Sequence, residues 1–118
     1  MATISKRTLS GSTNGRGIKV AATVIGTGTT IHDAVAGATD TDLITLFAYN
    51  DDTVLRTLTL GWGGTTDPDD LIIFNVPAQS GLSLVVADLP LRNTLAVKAA
   101  GDTANVLVIF GYVNRITA

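Results

Sequence analysis

Apolar residues recur at every second position in short runs along this chain, and clusters of Gly, Asp, Asn, Pro and Ser separate the runs. A period of two is the signature of strands with one face buried. In Ile18–Ile25, residues Ile18, Val20, Ala22 and Val24 share one parity, and Gly26-Thr27-Gly28 turns the chain after them. Thr29–Val35 reads as a second strand, ended near Gly37. Asp42–Asn50 reads as a third, with Leu43, Phe47 and Tyr49 on one side and Ile44, Leu46 and Ala48 on the other. Both of its faces are apolar, which predicts a central strand covered on both sides.

A hairpin at Asn50-Asp51-Asp52 leads into Thr53–Trp62, where Val54, Leu58, Leu60 and Trp62 share parity with Arg56, opposite the more polar Leu55, Thr57 and Thr59. The longest loop, Gly61–Asp70, precedes strands at Leu71–Val76 and Leu82–Ala87, and Thr94–Ala100 and Ala104–Val113 form a last hairpin about Gly101-Asp102. Within that last strand Val106–Phe110 is uninterruptedly apolar. About eight short strands at spacings near ten residues predict an all-β fold, an antiparallel jelly-roll-like sandwich with an extended N-terminal arm. No sustained helical periodicity occurs, and Asp33–Thr41, the least strand-like stretch, has room for one helical turn. Residues 1–17 are polar and basic and rich in turn formers, so the boundary predicted from sequence places an arm at 1–17 and the sandwich at 18–118.

Composition narrows the function classes. Charged residues make up only 15% of the 118, against roughly 25% in an ordinary soluble domain, while apolar residues with glycine come to roughly 54%. A small domain with so few charges is expected to bury part of its surface in an assembly. Every acid is Asp, a turn-forming residue, and Cys is absent, which excludes disulfides and thiolate metal sites. Lys6, Arg7, Arg16 and Lys19 all precede the first acid, so a basic beginning is joined to an acidic body. No apolar run is long enough to span a bilayer, and no signal-peptide core follows the first basic residues, which points to synthesis as a soluble product with no membrane partner.

Candidate catalytic residues are sparse. His32 is the single histidine. Its neighbour Asp33 points to the opposite face of a strand, and no nucleophile-elbow pattern is present, so His32 reads as a surface or interface residue. Asp67, Asp69 and Asp70 cluster in the long loop without the spacing of a calcium loop. Gly26-Thr27-Gly28 and Gly61-Trp62-Gly63-Gly64 lack the remaining residues of nucleotide-binding loops. The chain therefore reads as no enzyme, with no cofactor and no metal. Trp62, flanked by glycines at a strand end, either fills the end of the core or anchors a subunit contact.

Several segments carry a resemblance to small virion proteins of tailed bacteriophages. They are Leu9-Ser10-Gly11-Ser12-Thr13-Asn14-Gly15-Arg16-Gly17-Ile18-Lys19-Val20, the loop Trp62-Gly63-Gly64-Thr65-Thr66-Asp67-Pro68-Asp69-Asp70-Leu71, the turn Pro77-Ala78-Gln79-Ser80-Gly81 and the ending Gly111-Tyr112-Val113-Asn114-Arg115-Ile116. The resemblance implies a capsid cement or decoration protein: a structural protein, made in the host cytoplasm, that sits as a homotrimer on the outer surface of the virion and binds the major capsid protein. The alternative within the same resemblance is a neck, tail or fibre-associated adaptor that binds a receptor. The acidic body disfavours direct contact with nucleic acid. On this reading Ile4, Lys6, Arg7, Leu9 and Arg16 of the arm are expected to contact the capsid or a neighbouring copy, the cations pairing with carboxylates there. Trp62, Phe110, Tyr112, Arg115 and Ile116 are the candidates for self-association.

Overall fold

The computed structural model describes residues 2–118. Nine strands form: β1 (Thr3–Thr8), β2 (Ile18–Lys19), β3 (Thr29–Asp33), β4 (Thr41–Asn50), β5 (Arg56–Trp62), β6 (Leu71–Val76), β7 (Ser83–Leu91), β8 (Ala96–Gly101) and β9 (Leu107–Thr117). They make two antiparallel sheets packed as a sandwich. The first has the order β1-β9-β4-β7, with β2 also paired to β9, and the second has the order β3-β8-β5-β6. Read over β2–β9, the orders 2-9-4-7 and 3-8-5-6 are those of a jelly roll, an arrangement of two Greek keys.

The core between the sheets is aliphatic. Ile44, Leu46, Ala48, Ile109 and Val113 from the first sheet meet Ile31, Leu58, Leu60, Val76, Val97 and Ala99 from the second, all fully buried. The longest ladder pairs β4 with β9 in unbroken register from Thr41↔Ile116 to Asn50↔Leu107. In β9 the alternation sends Leu107, Ile109 and Val113 inward and leaves Val108, Phe110, Tyr112 and Ile116 on the outer face. Gly111 lies in this ladder opposite Leu46, and a Cβ there would run into the carbonyl oxygen of Thr45. A backbone atom of a paired strand cannot swing aside as a side chain would, so close strand approach requires glycine here.

The N-terminal third departs from the strand pattern expected of it. The segment expected as an arm, 1–17, does not stay outside the sandwich over its described residues, 2–17: β1 pairs with β9 from Thr3↔Thr117 to Thr8↔Tyr112 as an edge strand of the first sheet. The chain then crosses to the second sheet, where the Gly11 N–H donates to the Ile31 carbonyl at 2.9 Å. Leu9, at the crossing, is 2% exposed and belongs to the core. A turn over Ser12–Gly17 returns the chain to β9, where Ile18 and Lys19 pair with Ile109 and Val108. The expected strand Ile18–Ile25 ends after two residues because the chain changes sheets again: Val20 N–H still bonds to Leu107 O at 2.8 Å, but the Ala22 carbonyl accepts from Gly101 N–H of β8 at 3.0 Å. Ile25–Thr27 is a single 3-10 turn, and the bend at Asp33–Thr41 contains no helical turn.

β7 runs longer than expected, to Leu91, because two bulges against β4 carry it past Asp88 and Pro90. The Asp88 N–H at the bulge donates to the buried Thr45 hydroxyl at 3.1 Å. Pro90 is tolerated because β7 is the edge strand on that side. At the other end of β4, buried Asn50 closes the hairpin: its side-chain amide donates to Val54 O and Val76 O, and its oxygen accepts the Asp52 N–H.

Leu9 and Ile4 separate the two parts of the N-terminal segment, one buried and one 69% exposed. Leu9→Ala is expected to lower the unfolding free energy by about 2–5 kcal/mol, the usual cost of truncating an enclosed leucine, and Ile4→Ala by no more than about 0.5 kcal/mol. Chemical denaturation of the two variants checks this. Equal small losses would mean that Leu9 is not part of the core.

Candidate functional site: a buried polar cluster and an aromatic sheet face

Two features stand out, one inside the sandwich and one on its surface. The first is centred on Asp42, the second residue of β4, which is 0% exposed. Four donors converge on its carboxylate. Arg115 of the neighbouring β9 approaches with Nε 2.7 Å from Oδ1 and Nη2 3.1 Å from Oδ2, a two-pronged pair set by the register Asp42↔Arg115. The Val35 N–H donates to Oδ2 at 3.0 Å. His32 Nε2, from β3 of the opposite sheet, lies 2.8 Å from the same oxygen.

The other histidine nitrogen settles the direction of that bond. Nδ1 lies 3.0 Å from the Ser10 N–H, which can only donate, so Nδ1 is the acceptor and the proton of the neutral ring sits on Nε2 and points at Asp42. The Ser10 hydroxyl is turned away and accepts the Asp33 N–H at 2.7 Å. Both ring nitrogens are thus committed, one to a main-chain donor and one to a carboxylate. This corrects the sequence-based expectation of a surface or interface His32: the residue is 2% exposed and its partner is Asp42, ten residues on, rather than the adjacent Asp33. Ser, His and Asp do meet here, but the serine presents its backbone to the ring, and the arrangement of a hydroxyl nucleophile facing a histidine base is not formed.

Burial by itself would raise the Asp42 pKa. The hydrogen bonds from Arg115 and His32, together with the positive charge of Arg115, outweigh it and hold the carboxyl below the ordinary aspartate value. The same contact raises the Arg115 pKa further above its already high value. The cluster ties β3 of one sheet to β4 and β9 of the other and anchors the crossing at Ser10, so its role is to fasten one end of the sandwich.

The second feature is the outer face of the first sheet. Direct cross-strand partners share a face in an antiparallel ladder. Phe47 is opposite Phe110, Tyr49 opposite Val108, Thr45 opposite Tyr112 and Leu43 opposite Asn114. Leu84 of β7 lies opposite Phe47, and Ile4 of β1 opposite Ile116. Four of the five Phe and Tyr residues of the chain therefore project from one sheet face, and only Phe74 packs on the core. Two lysines lie at the margin of this face: Lys6, with Nζ 4.6 Å from the centroid of the Tyr112 ring, and exposed Lys19 of β2, opposite Val108. Phe110 is partly sheltered by the backbone of Gly17, where a Cβ would strike its ring.

The candidate contact residues divide accordingly. Ile4, Lys6, Phe110, Tyr112 and Ile116 all lie on this outer face. Arg7 is exposed on the other side of β1, its Nε donating to Ser5 Oγ at 3.3 Å, and Arg16 is exposed in the turn before β2. Leu9 is in the core, and Arg115 is held by Asp42. Trp62 packs against the end of the core and its indole N–H donates to Pro90 O of the opposite sheet at 3.2 Å, which makes it a fastener between sheets. In the acidic loop, the Asp70 carboxylate accepts the Thr66 N–H at 3.1 Å while Asp67 and Asp69 are exposed; among the described residues no group of three or more His or acidic residues is placed to hold a metal ion. Sequence reasoning missed Asp42, Phe47, Tyr49 and Leu84. The doubly apolar pattern of Asp42–Asn50 was the available signal for Phe47 and Tyr49.

No family model matches this chain, and no curated protein and no solved structure is detectably similar to it.

Removing the Asp42 carboxylate strands a histidine N–H, a guanidinium and a main-chain N–H. Asp42→Ala is expected to cost about 3–5 kcal/mol, as for other broken buried pairs, measured by denaturant unfolding. Acid should act in the same direction. Because the folded state holds the Asp42 pKa below its unfolded value of about 3.9, this group stabilises the fold fully above that value, and the contribution is lost as pH falls through the folded pKa. Asp52, held low by its bond from Arg56, has the same sign. The melting temperature of the wild-type protein should therefore drop below about pH 4, and more steeply than that of Asp42→Asn; parallel curves would remove Asp42 from the account.

Proposed function

We propose that this chain is a structural virion protein of a tailed bacteriophage, which binds the outer surface of the capsid and stabilises it through contacts among its own copies and with the major capsid protein. The observation that carries the reading is the aromatic, nearly uncharged outer face of the first sheet. A domain with so few charges has a large surface suited to permanent cover, and large apolar patches on small domains mark interaction sites. The resemblance of the N-terminal segment, the Trp62–Leu71 loop, the Pro77–Gly81 turn and the C-terminal strand to small phage virion proteins supplies the setting, and with it the expected homotrimer.

A clamp on a pressurised shell needs rigidity and contact area. The jelly roll supports the first, its two ends closed by the Asp42 cluster and by Asn50. The exposed cations Arg7 and Arg16, with Lys6 beside Tyr112, suit an acidic partner such as the Asp-rich body of a neighbour or the capsid shell. Each exposed ion pair contributes only about 0.2–1 kcal/mol, so attachment depends on many copies and on area.

Quantitative mass spectrometry of purified particles tests the reading. The protein should be present in fixed proportion to the major capsid subunit. A few copies per particle would favour a neck or tail adaptor, and absence from particles would sink the proposal. A companion variant lacking residues 2–8 keeps Leu9 and Ser10, and should melt close to the wild type while its retention on particles weakens, more so at high salt if the charges contribute.

A further inference from the structure

The sequence of β4 is patterned for burial on both sides, yet within one chain only its inner face is covered. Ile44, Leu46 and Ala48 are fully buried, whereas Leu43, Phe47 and Tyr49 on the other side remain partly open. β9 repeats the mismatch, with Leu107, Ile109 and Val113 enclosed and Val108, Phe110, Tyr112 and Ile116 partly open. The two strands are the central pair of the first sheet, so their uncovered residues form one continuous patch, extended by Leu84, 52% exposed, and Ile4, 69% exposed.

We propose that this outer face of the β1-β9-β4-β7 sheet is the surface through which copies of this chain associate. The inference deepens the function proposed above and rests on its self-association clause alone, independent of any capsid.

Three observations select a second copy as the occupant. The face carries little charge: the central strands β4 and β9 place no ionised group on it, and Lys6 of β1 and Lys19 of β2 lie at its margin. A partner recognised by charge would find nothing to pair with over the centre of the patch, whereas a second copy of a net-acidic chain can approach a face whose few charges are lysines at its margin without like-charge repulsion. The area also suits. The 6, 11, 10 and 9 residues of β1, β9, β4 and β7, each covering about 3.4 Å by about 4.8 Å, make a plane of roughly 600 Å², which reaches the ~600–1,000 Å² per partner of specific interfaces. Finally, the placement of the aromatics is what an interface uses and a core does not need. Phe47, Phe110, Tyr49 and Tyr112 face outward while the interior is filled by Leu, Ile, Val and Ala.

The opposite outer face is the internal control. The second sheet presents Thr57, Thr59 and Ile73 around a groove of about 300 Å³ that the Ile25 turn partly fills. Ile73, 67% exposed, is as apolar and as open as Leu84 but lies on the other side of the sandwich.

Sedimentation of the full-length protein at tens of micromolar tests the assignment. Wild type should sediment as an oligomer. Leu84→Lys and Tyr112→Glu should weaken association at least about tenfold, the effect of placing a charge in a desolvated contact, and Ile73→Lys should leave it unchanged. Circular dichroism and melting verify that each variant is folded. Should the charged variants fail to fold, the absence of native cysteine allows a spin label at Leu84→Cys and at Ile73→Cys, and only the first should be immobilised as concentration rises. A wild-type monomer across the range overturns the proposal, and so does dissociation by Ile73→Lys with the Leu84→Lys oligomer intact. If the wild type is monomeric but Leu84→Lys is lost from particles, the occupant is a capsid protein: the second-copy assignment fails while the cement function stands.

Discussion

The carboxylate of Asp42 is the point on which the N-terminal half of this jelly roll depends. A fully enclosed charge is tolerable only when its hydrogen-bonding capacity is met, and here four donors meet it: two nitrogens of Arg115 in β9, His32 Nε2 in β3 and the Val35 N–H after β3, while the Ser10 N–H holds the other nitrogen of the histidine ring. The hydrophobic core lies further along β4, at Ile44, Leu46 and Ala48. An apolar contact in place of the cluster would pull the sheets together without choosing a register. The fork of Arg115 and the directed nitrogens of His32 accept one arrangement of β3, β4 and β9.

That arrangement explains the course of residues 2–28. They cross between the sheets at Leu9–Gly11 and again at Val20–Ala22, covering the edge where β9 of one sheet and β3 of the other would otherwise expose their main chains. A polar segment can serve because the work is done largely by backbone hydrogen bonds, with Leu9 supplying the one large buried side chain before Ile18. β1 lies outermost and packs on β9 alone, which leaves its side chains in solvent and its cations available.

The two outer faces of the sandwich are chemically unlike. One carries paired aromatics from the two longest strands; the other carries no aromatic pair and mixes Thr57 and Thr59 with Leu71 and Ile73 along a shallow groove. Sandwich folds commonly expose polar residues on both outer faces, so the asymmetry is specific to this chain and gives its surface a front and a back. In the role proposed above, one face would meet neighbouring copies and the other would remain outside.

The fold class and much of the strand layout are written in the residue pattern, because period-two alternation reports a half-buried strand wherever it occurs: Asp42–Asn50, Thr53–Trp62 and Leu71–Val76 sit within a few residues of where their patterns place them. The sequence also held the doubly apolar signature of β4 and β9. It could not reveal that Thr3–Thr8 is a strand, since an edge strand lying beyond the core needs no apolar alternation and is held by main-chain bonds to β9. Nor could it pair His32 with Asp42 in place of Asp33, or enclose Arg115, which by residue type alone reads as a surface charge. Those outcomes depend on which strands become neighbours, and the crossings between sheets that make them neighbours are set by tertiary packing. Only in the folded chain does it become clear that one of the two apolar faces of β4 is left without a cover.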